Sequence, residues 1–116
     1  MKDKPVAIAE AYYTALGQKD STTMQQYLHP DVQCSSPVAQ MKGRDAVLEA
    51  VKKLFTLFKT LTIRAKFGNE DQAMVVVDLD FLPPAGILPS AVLLNIKEGL
   101  IEKIEIFFDA SVPSKK

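Results

Sequence analysis

Apolar positions recur at helical spacing in the first half of the chain and at strand spacing in the second. Val6, Ala9, Tyr12, Tyr13 and Leu16 lie between Pro5 and Gly17. A proline in a first turn and a glycine after a last turn predict a helix over 5–16. Asp20 or Ser21 can cap a second, shorter helix, in which Met24, Tyr27 and Leu28 share a face and Pro30 provides the stop. Residues 32–35 read as extended, and Pro37 holds Ser36 out of helical geometry. After Gly43, Arg44 and Asp45 comes the clearest helix, with Val47, Val51, Leu54 and Phe58 in one stripe and Leu48 and Phe55 beside it.

From residue 61 the period changes to two. Residues 61–67 and 73–82 flank the polar turn Gly68-Asn69-Glu70-Asp71 and predict a hairpin. Two further strands, 91–96 and 100–108, flank Lys97-Glu98-Gly99. The predicted class is α+β: three helices with one short strand among them, then a four-stranded antiparallel meander covered by helices on one face. In the hairpin, Ile63, Ala65, Phe67, Val75, Val77, Leu79 and Phe81 form the apolar face. Thr62, Arg64, Lys66, Asp78 and Asp80 share the other with Met74 and Val76, which brings Arg64 within diagonal reach of Asp78. The last two strands differ, because both of their faces are apolar. Val92, Leu94 and Ile96 oppose Ala91 and Leu93, and Ile104, Ile106 and Phe108 oppose Ile101 and Phe107. An antiparallel sheet of this size leaves one face to water unless another chain covers it, so the pattern predicts a homodimer through the sheet face.

Composition narrows the class of partner. The chain has 116 residues, 14 basic and 14 acidic, with one cysteine and one histidine. That length supports one core, so a single domain over 1–116 is expected, with residues 110–116 as a flexible tail. One cysteine excludes an internal disulfide, and one cysteine with one histidine does not make the usual zinc site; neither metal nor cofactor is expected. Balanced charge without a basic stripe argues against nucleic acid or an anionic membrane as partner. No stretch approaches the roughly 18 apolar residues of a membrane helix, and the apolar run 6–9 is too short for a signal peptide. A cytoplasmic location is the expectation.

The order and spacing of four segments carry a resemblance: "AYYTALGQKD" closing the first helix, "YLHPDVQCSSP" running into the first strand, "MKGRDAV" entering the long helix, and "EGLIEKIEIFFD" as the last strand. Together they resemble the nuclear transport factor 2-like superfamily, and within it the SnoaL-like polyketide cyclases and the ketosteroid isomerases. The resemblance implies a cone-shaped (cystatin-like) fold in which helices and a curved antiparallel sheet enclose a mostly apolar pocket, commonly in homodimers. It also implies the isomerase positions. The base falls on Ser36, the second oxyanion donor on Val92, and the tyrosine donor on Tyr12. A serine hydroxyl without a neighbouring base does not abstract a carbon-bound proton, and valine donates nothing, so ketosteroid isomerase activity is not expected.

Two readings follow. In the first, the protein binds a small hydrophobic molecule and transforms it as an isomerase, cyclase or hydratase without cofactor. Asp78 and Asp80 act as acid and base if their face looks into the cone, and Tyr12 acts as donor. In the second, Asp78 and Asp80 are neutralised by Arg64 and Lys66 outside, and the protein is a non-catalytic dimeric ligand carrier or interaction module. If a cavity exists, the helices offer Tyr12, Leu16, Phe55 and Phe58 to its wall. The strands offer Val92, Leu94, Ile104, Ile106 and Phe108, and Ser36 sits at the mouth. His29 reads as a helix-end imidazole meeting the last carbonyls, and Cys34 as a small buried hydrophobe. "LPPAGILPS" reads as a stiff connection that rims a pocket or covers an edge.

Overall fold

Residues 4–109 are described by the computed structural model. Helix α1 spans Pro5–Gly17 and begins, as the sequence indicates, on its proline. Helix α2, Ser21–Gln26, is capped by Asp20, whose carboxylate accepts from the Thr23 N–H at 3.1 Å. Strands β1 (Leu28–Ser35) and β2 (Gln40–Lys42) follow. Helix α3, Arg44–Leu54, starts on Gly43, whose φ of +98° suits glycine and whose N–H donates to the Val32 carbonyl at 2.7 Å. The remaining strands are β3 (Phe58–Gly68), β4 (Gln72–Phe81), β5 (Gly86–Lys97) and β6 (Leu100–Phe107).

The six strands form one curved, unclosed sheet in the order β2-β1-β6-β5-β4-β3. Four neighbouring pairs are antiparallel; β1 runs parallel to β6 and makes the sheet mixed. Helix α1 packs across β3 and β4, and α3 packs on β1. The face they cover carries rows of apolar side chains: Val75, Val92 and Ile106 in one, Ala73, Leu94 and Ile104 in the next. The opposite, outer face carries Met74 and Leu93 beside Glu105, then Val76 and Ala91 beside Phe107.

Several local expectations are corrected. Pro30 does not end a helix; α2 stops at Gln26, and Pro30 and His29 lie in β1, where His29 Nδ1 accepts from the Asp31 N–H at 2.9 Å. Phe58 is not on the α3 stripe but opens β3, fully buried. Its carbonyl accepts from Lys19 Nζ at 2.9 Å, and the same ammonium stands 4.9 Å from the centre of its ring. Much of "LPPAGILPS" is strand: β5 begins at Gly86 and continues through Pro89. A bulge between Ile63 and Ala65 shifts the β3 register, so faces exchange beyond it. Phe67, expected on the core face, pairs with Met74 on the outer face and is 62% exposed. Lys66, expected among the acids, crosses to the helical side and meets Glu10 of α1 at 2.6 Å. Residues 110–116, expected as a tail, lie outside the described residues.

Candidate functional site

Between α1, α3 and the inner sheet face lies an apolar cavity of about 250 Å³. Its floor is fully buried and comes from three directions: Tyr12 on α1, Val47 on α3, and Val77, Val92 and Ile104 on the sheet. Leu54, Leu61, Leu79 and Ile106, all half-buried, form the wider part of the wall. At the mouth the turn Ser36–Ala39 contributes Val38, which is 70% exposed although it faces the cavity. That turn is tied by Ser36, whose Oγ accepts from the Val38 N–H and donates to the Ala39 carbonyl.

Polar character inside is confined to hydroxyls and one thiol. Tyr12 and Tyr13 are adjacent on α1, with rings edge to face at 5.2 Å. Ser90 stands opposite Val77 on β5, and Cys34 faces in from β1. Burial pushes the Cys34 thiol up to about 11 and raises both phenols well above the usual tyrosine range. Phenols and thiol also lie close enough to oppose one another's ionisation. All three are neutral at physiological pH. Among the described residues that line the cavity there is no carboxylate, imidazole, ammonium or guanidinium.

Of the residues expected at the wall, Tyr12, Leu16, Ser36, Val92, Ile104 and Ile106 line the cavity. Phe55, Phe58, Leu94 and Phe108 do not: Phe58 and Leu94 are fully buried core, and Phe55 and Phe108 are half-buried outside the lining. Asp78 and Asp80 are placed on the outer face, opposite Pro89 and Ile87. There Asp78 meets Arg64 at 3.3 Å and Asp80 meets Lys59 at 3.8 Å, so neither acid reaches Tyr12 or the cavity. Lys59, rather than Lys66, is the second cation. Tyr13, the neighbour of Tyr12 on α1 whose phenol can also reach a cavity, lines it as well; Met41, Val51 and Ser90 line it without having been singled out from sequence, although the helical period of 47 and 51 marks Val51 as core-facing. No group of side chains that could hold a metal occurs among the described residues, and none of their helices is long and apolar enough to cross a membrane.

An apolar cone between helices and a curved mixed sheet defines the nuclear transport factor 2-like class. Residues 9–103 match the SnoaL-like domain model, and the chain belongs to that family. Among solved structures, a protein from Kribbella flavida superposes with a TM-score of 0.84 at 23% identity, over 90% of this chain and 85% of that one. An NTF2-like protein from Cytophaga hutchinsonii gives 0.82 at 12%, over 96% and 95%. An LEH-like epoxide hydrolase from M. tuberculosis gives 0.80 at 14%, over 92% and 84%. These likenesses establish the fold. No curated protein matches the sequence.

Proposed function

We propose that this protein is a SnoaL-like pocket protein that binds a compact hydrophobic molecule in the cone. The observation that carries the reading is the cavity itself. A buried apolar space with a few hydroxyls at its wall and a mouth at an exposed turn is the usual form of a small-molecule site. Binding is favoured over acid/base turnover because the two carboxylates available for proton transfer sit on the other face of the sheet, held by Arg64 and Lys59. Thermal denaturation against a panel of hydrophobic metabolites tests this. A ligand held in the cone raises the melting temperature with concentration, whereas a panel without effect supports the second reading, a non-catalytic interaction module. The small volume of the cavity, below the roughly 300–1,000 Å³ usual for drug-sized ligands, is what favours that second reading.

We infer further that two copies associate through the outer sheet face. Phe67 at 62%, Ile87 at 62% and Phe107 at 51% exposed surround half-buried Met74, Val76, Ala91 and Leu93. Strands β3 to β6 present a face of roughly 20 by 30 Å; once corrugation is counted, this is of the order of the about 800 Å² per partner in a standard interface. The charges on and around it are balanced, with Lys59, Arg64 and Lys103 against Asp78, Asp80 and Glu105, so two identical faces meet without net repulsion. Light scattering at micromolar concentration is expected to show twice the 12.8 kDa chain mass; a single 12.8 kDa species overturns the dimer.

A further inference from the structure

Resting on the reading of the cone as a ligand site, the size and lining of the cavity restrict what it takes. We propose that its ligand is an uncharged, mono- or bicyclic compound carrying a hydrogen-bond acceptor, and that anions and four-ring steroids are excluded. Size comes first. At the packing density of protein interiors, about three quarters, 250 Å³ holds on the order of a dozen heavy atoms. A steroid skeleton exceeds that. The floor cannot recede to admit one without moving Val77, Val92 and Ile104, which are fixed in the central strands with Leu94 and Val75 beside them.

Charge is the second restriction. An anion entering this cavity leaves water for a wall without a cationic side chain. Arg44 of α3 has a buried Nε with no hydrogen-bond partner, but Arg44 does not line the cavity. A cation is equally unsupported, because the carboxylates of the sheet face outward.

Polar recognition is the third. Tyr12, Tyr13 and Ser90 are each more than nine-tenths buried, and all three line the cavity. Among the described side chains, only Arg44 Nε is both fully enclosed and without a partner. A phenol is protonated at neutral pH and donates a hydrogen bond, and a carbonyl, ether or hydroxyl oxygen on an otherwise apolar ring gives it an acceptor. Burying such an acceptor against a hydroxyl costs little, whereas an apolar hydrocarbon leaves the hydroxyls unsatisfied.

A pair of probes with the same ring system separates these terms. Naphthyl methyl ketone is neutral and naphthoate is anionic at neutral pH, and the two have the same number of heavy atoms. Calorimetric titration of each into the wild-type protein and into Ala50→Phe, which fills the cavity from α3, is the experiment. The ketone is expected to bind, Ala50→Phe to abolish binding, and naphthoate to bind at least about a hundredfold more weakly. Naphthoate binding as tightly as the ketone, with the same sensitivity to Ala50→Phe, overturns the charge restriction while the ligand site stands. Tight binding of a four-ring steroid ketone at that site overturns the size restriction. If neither naphthyl probe binds, or if Ala50→Phe changes nothing while remaining folded by circular dichroism, the cavity is not the ligand site and both proposals fall.

Discussion

Arg64 Nη1 lies 3.3 Å from Asp78 Oδ1 on the outer face of the sheet, and Tyr12 sits on α1, which packs across the opposite face of the same two strands. The acid that most resembles a catalytic group in the sequence is therefore one half of a partly exposed ion pair. Such pairs contribute between nothing and about 1 kcal/mol, because water already solvates both charges and two long side chains lose freedom on pairing. Asp78→Asn and Asp80→Asn are accordingly expected to shift stability by less than about 1 kcal/mol in urea denaturation. Affinity for a neutral ligand in the cone should be unchanged. A variant that folds but no longer binds places Asp78 in the site after all.

Phe58 separates packing from ligand contact. It is fully buried at the first position of β3, with Lys19 over its ring, and it does not line the cavity. Phe58→Ala is expected to destabilise the protein by about 3–5 kcal/mol, read as a lowered denaturation midpoint, while the ligand size limit stays where it was. Ile104→Ala, by contrast, removes part of the cavity floor. It should cost about 2–5 kcal/mol and allow larger neutral compounds to bind.

The alkaline limb of stability follows from the same burial. Cys34 has its thiol raised from 9.0 to about 11, and Tyr12 and Tyr13 are raised from 10.0, all chiefly by desolvation. For an acid whose folded pKa is raised, the unfolded chain loses its proton first. Stability is thus flat below about pH 9 and falls as pH rises through the unfolded values toward the folded ones. Urea midpoints measured across this range should show that fall, and Cys34→Ala should delay its onset. Alkylation of Cys34 by a neutral reagent should be slow at pH 8 and rise about tenfold per pH unit up to about 11, since the thiolate is the nucleophile.

The sequence pattern was sufficient wherever one local period decided the outcome. Pro5 starting α1, Asp20 capping α2, and the Arg64–Asp78 pair across the hairpin all depend on spacing within one or two elements. It failed where a neighbouring strand decides. Pro30 reads as a helix stop, yet β1 tolerates it because pairing with β6 is irregular between Leu28 and Gln33, so no regular ladder bond is asked of it there. Pro89 reads as a linker residue, yet β6 pairs with β5 only from Ala91, so among the described residues, 86–90 pair with one strand, β4. The bulge at Ile63–Ala65 exchanges Lys66 and Phe67 between faces, and no propensity in "IRAKF" announces it. The wall of the cavity was half legible for the same reason: strand alternation marks Val92, Ile104 and Ile106 as inward, but only the curvature of the sheet determines that Leu94 is sealed in core while Ser90 borders the space.

The proposed dimer gives the sharpest mutational test, because the register fixes the middle of the outer face through which it would form. Leu93 lies between Met74 of β4 and Glu105 of β6 on the outer face, near the middle of the sheet. In a two-fold arrangement a residue near the centre meets the same region of the partner, so Leu93→Glu sets a carboxylate and its neighbour Glu105 against the same pair in the other copy. In the separate chain Leu93 is only half-buried, and a glutamate there keeps its head in water, so folding should survive. Association is expected to weaken at least about thirtyfold, as for truncation of a central interface residue worth 2 kcal/mol or more, and light scattering should shift to 12.8 kDa. Leu93→Met keeps the apolar contact and should remain dimeric. If Leu93→Glu is folded and still dimeric, the partner sits elsewhere on the molecule.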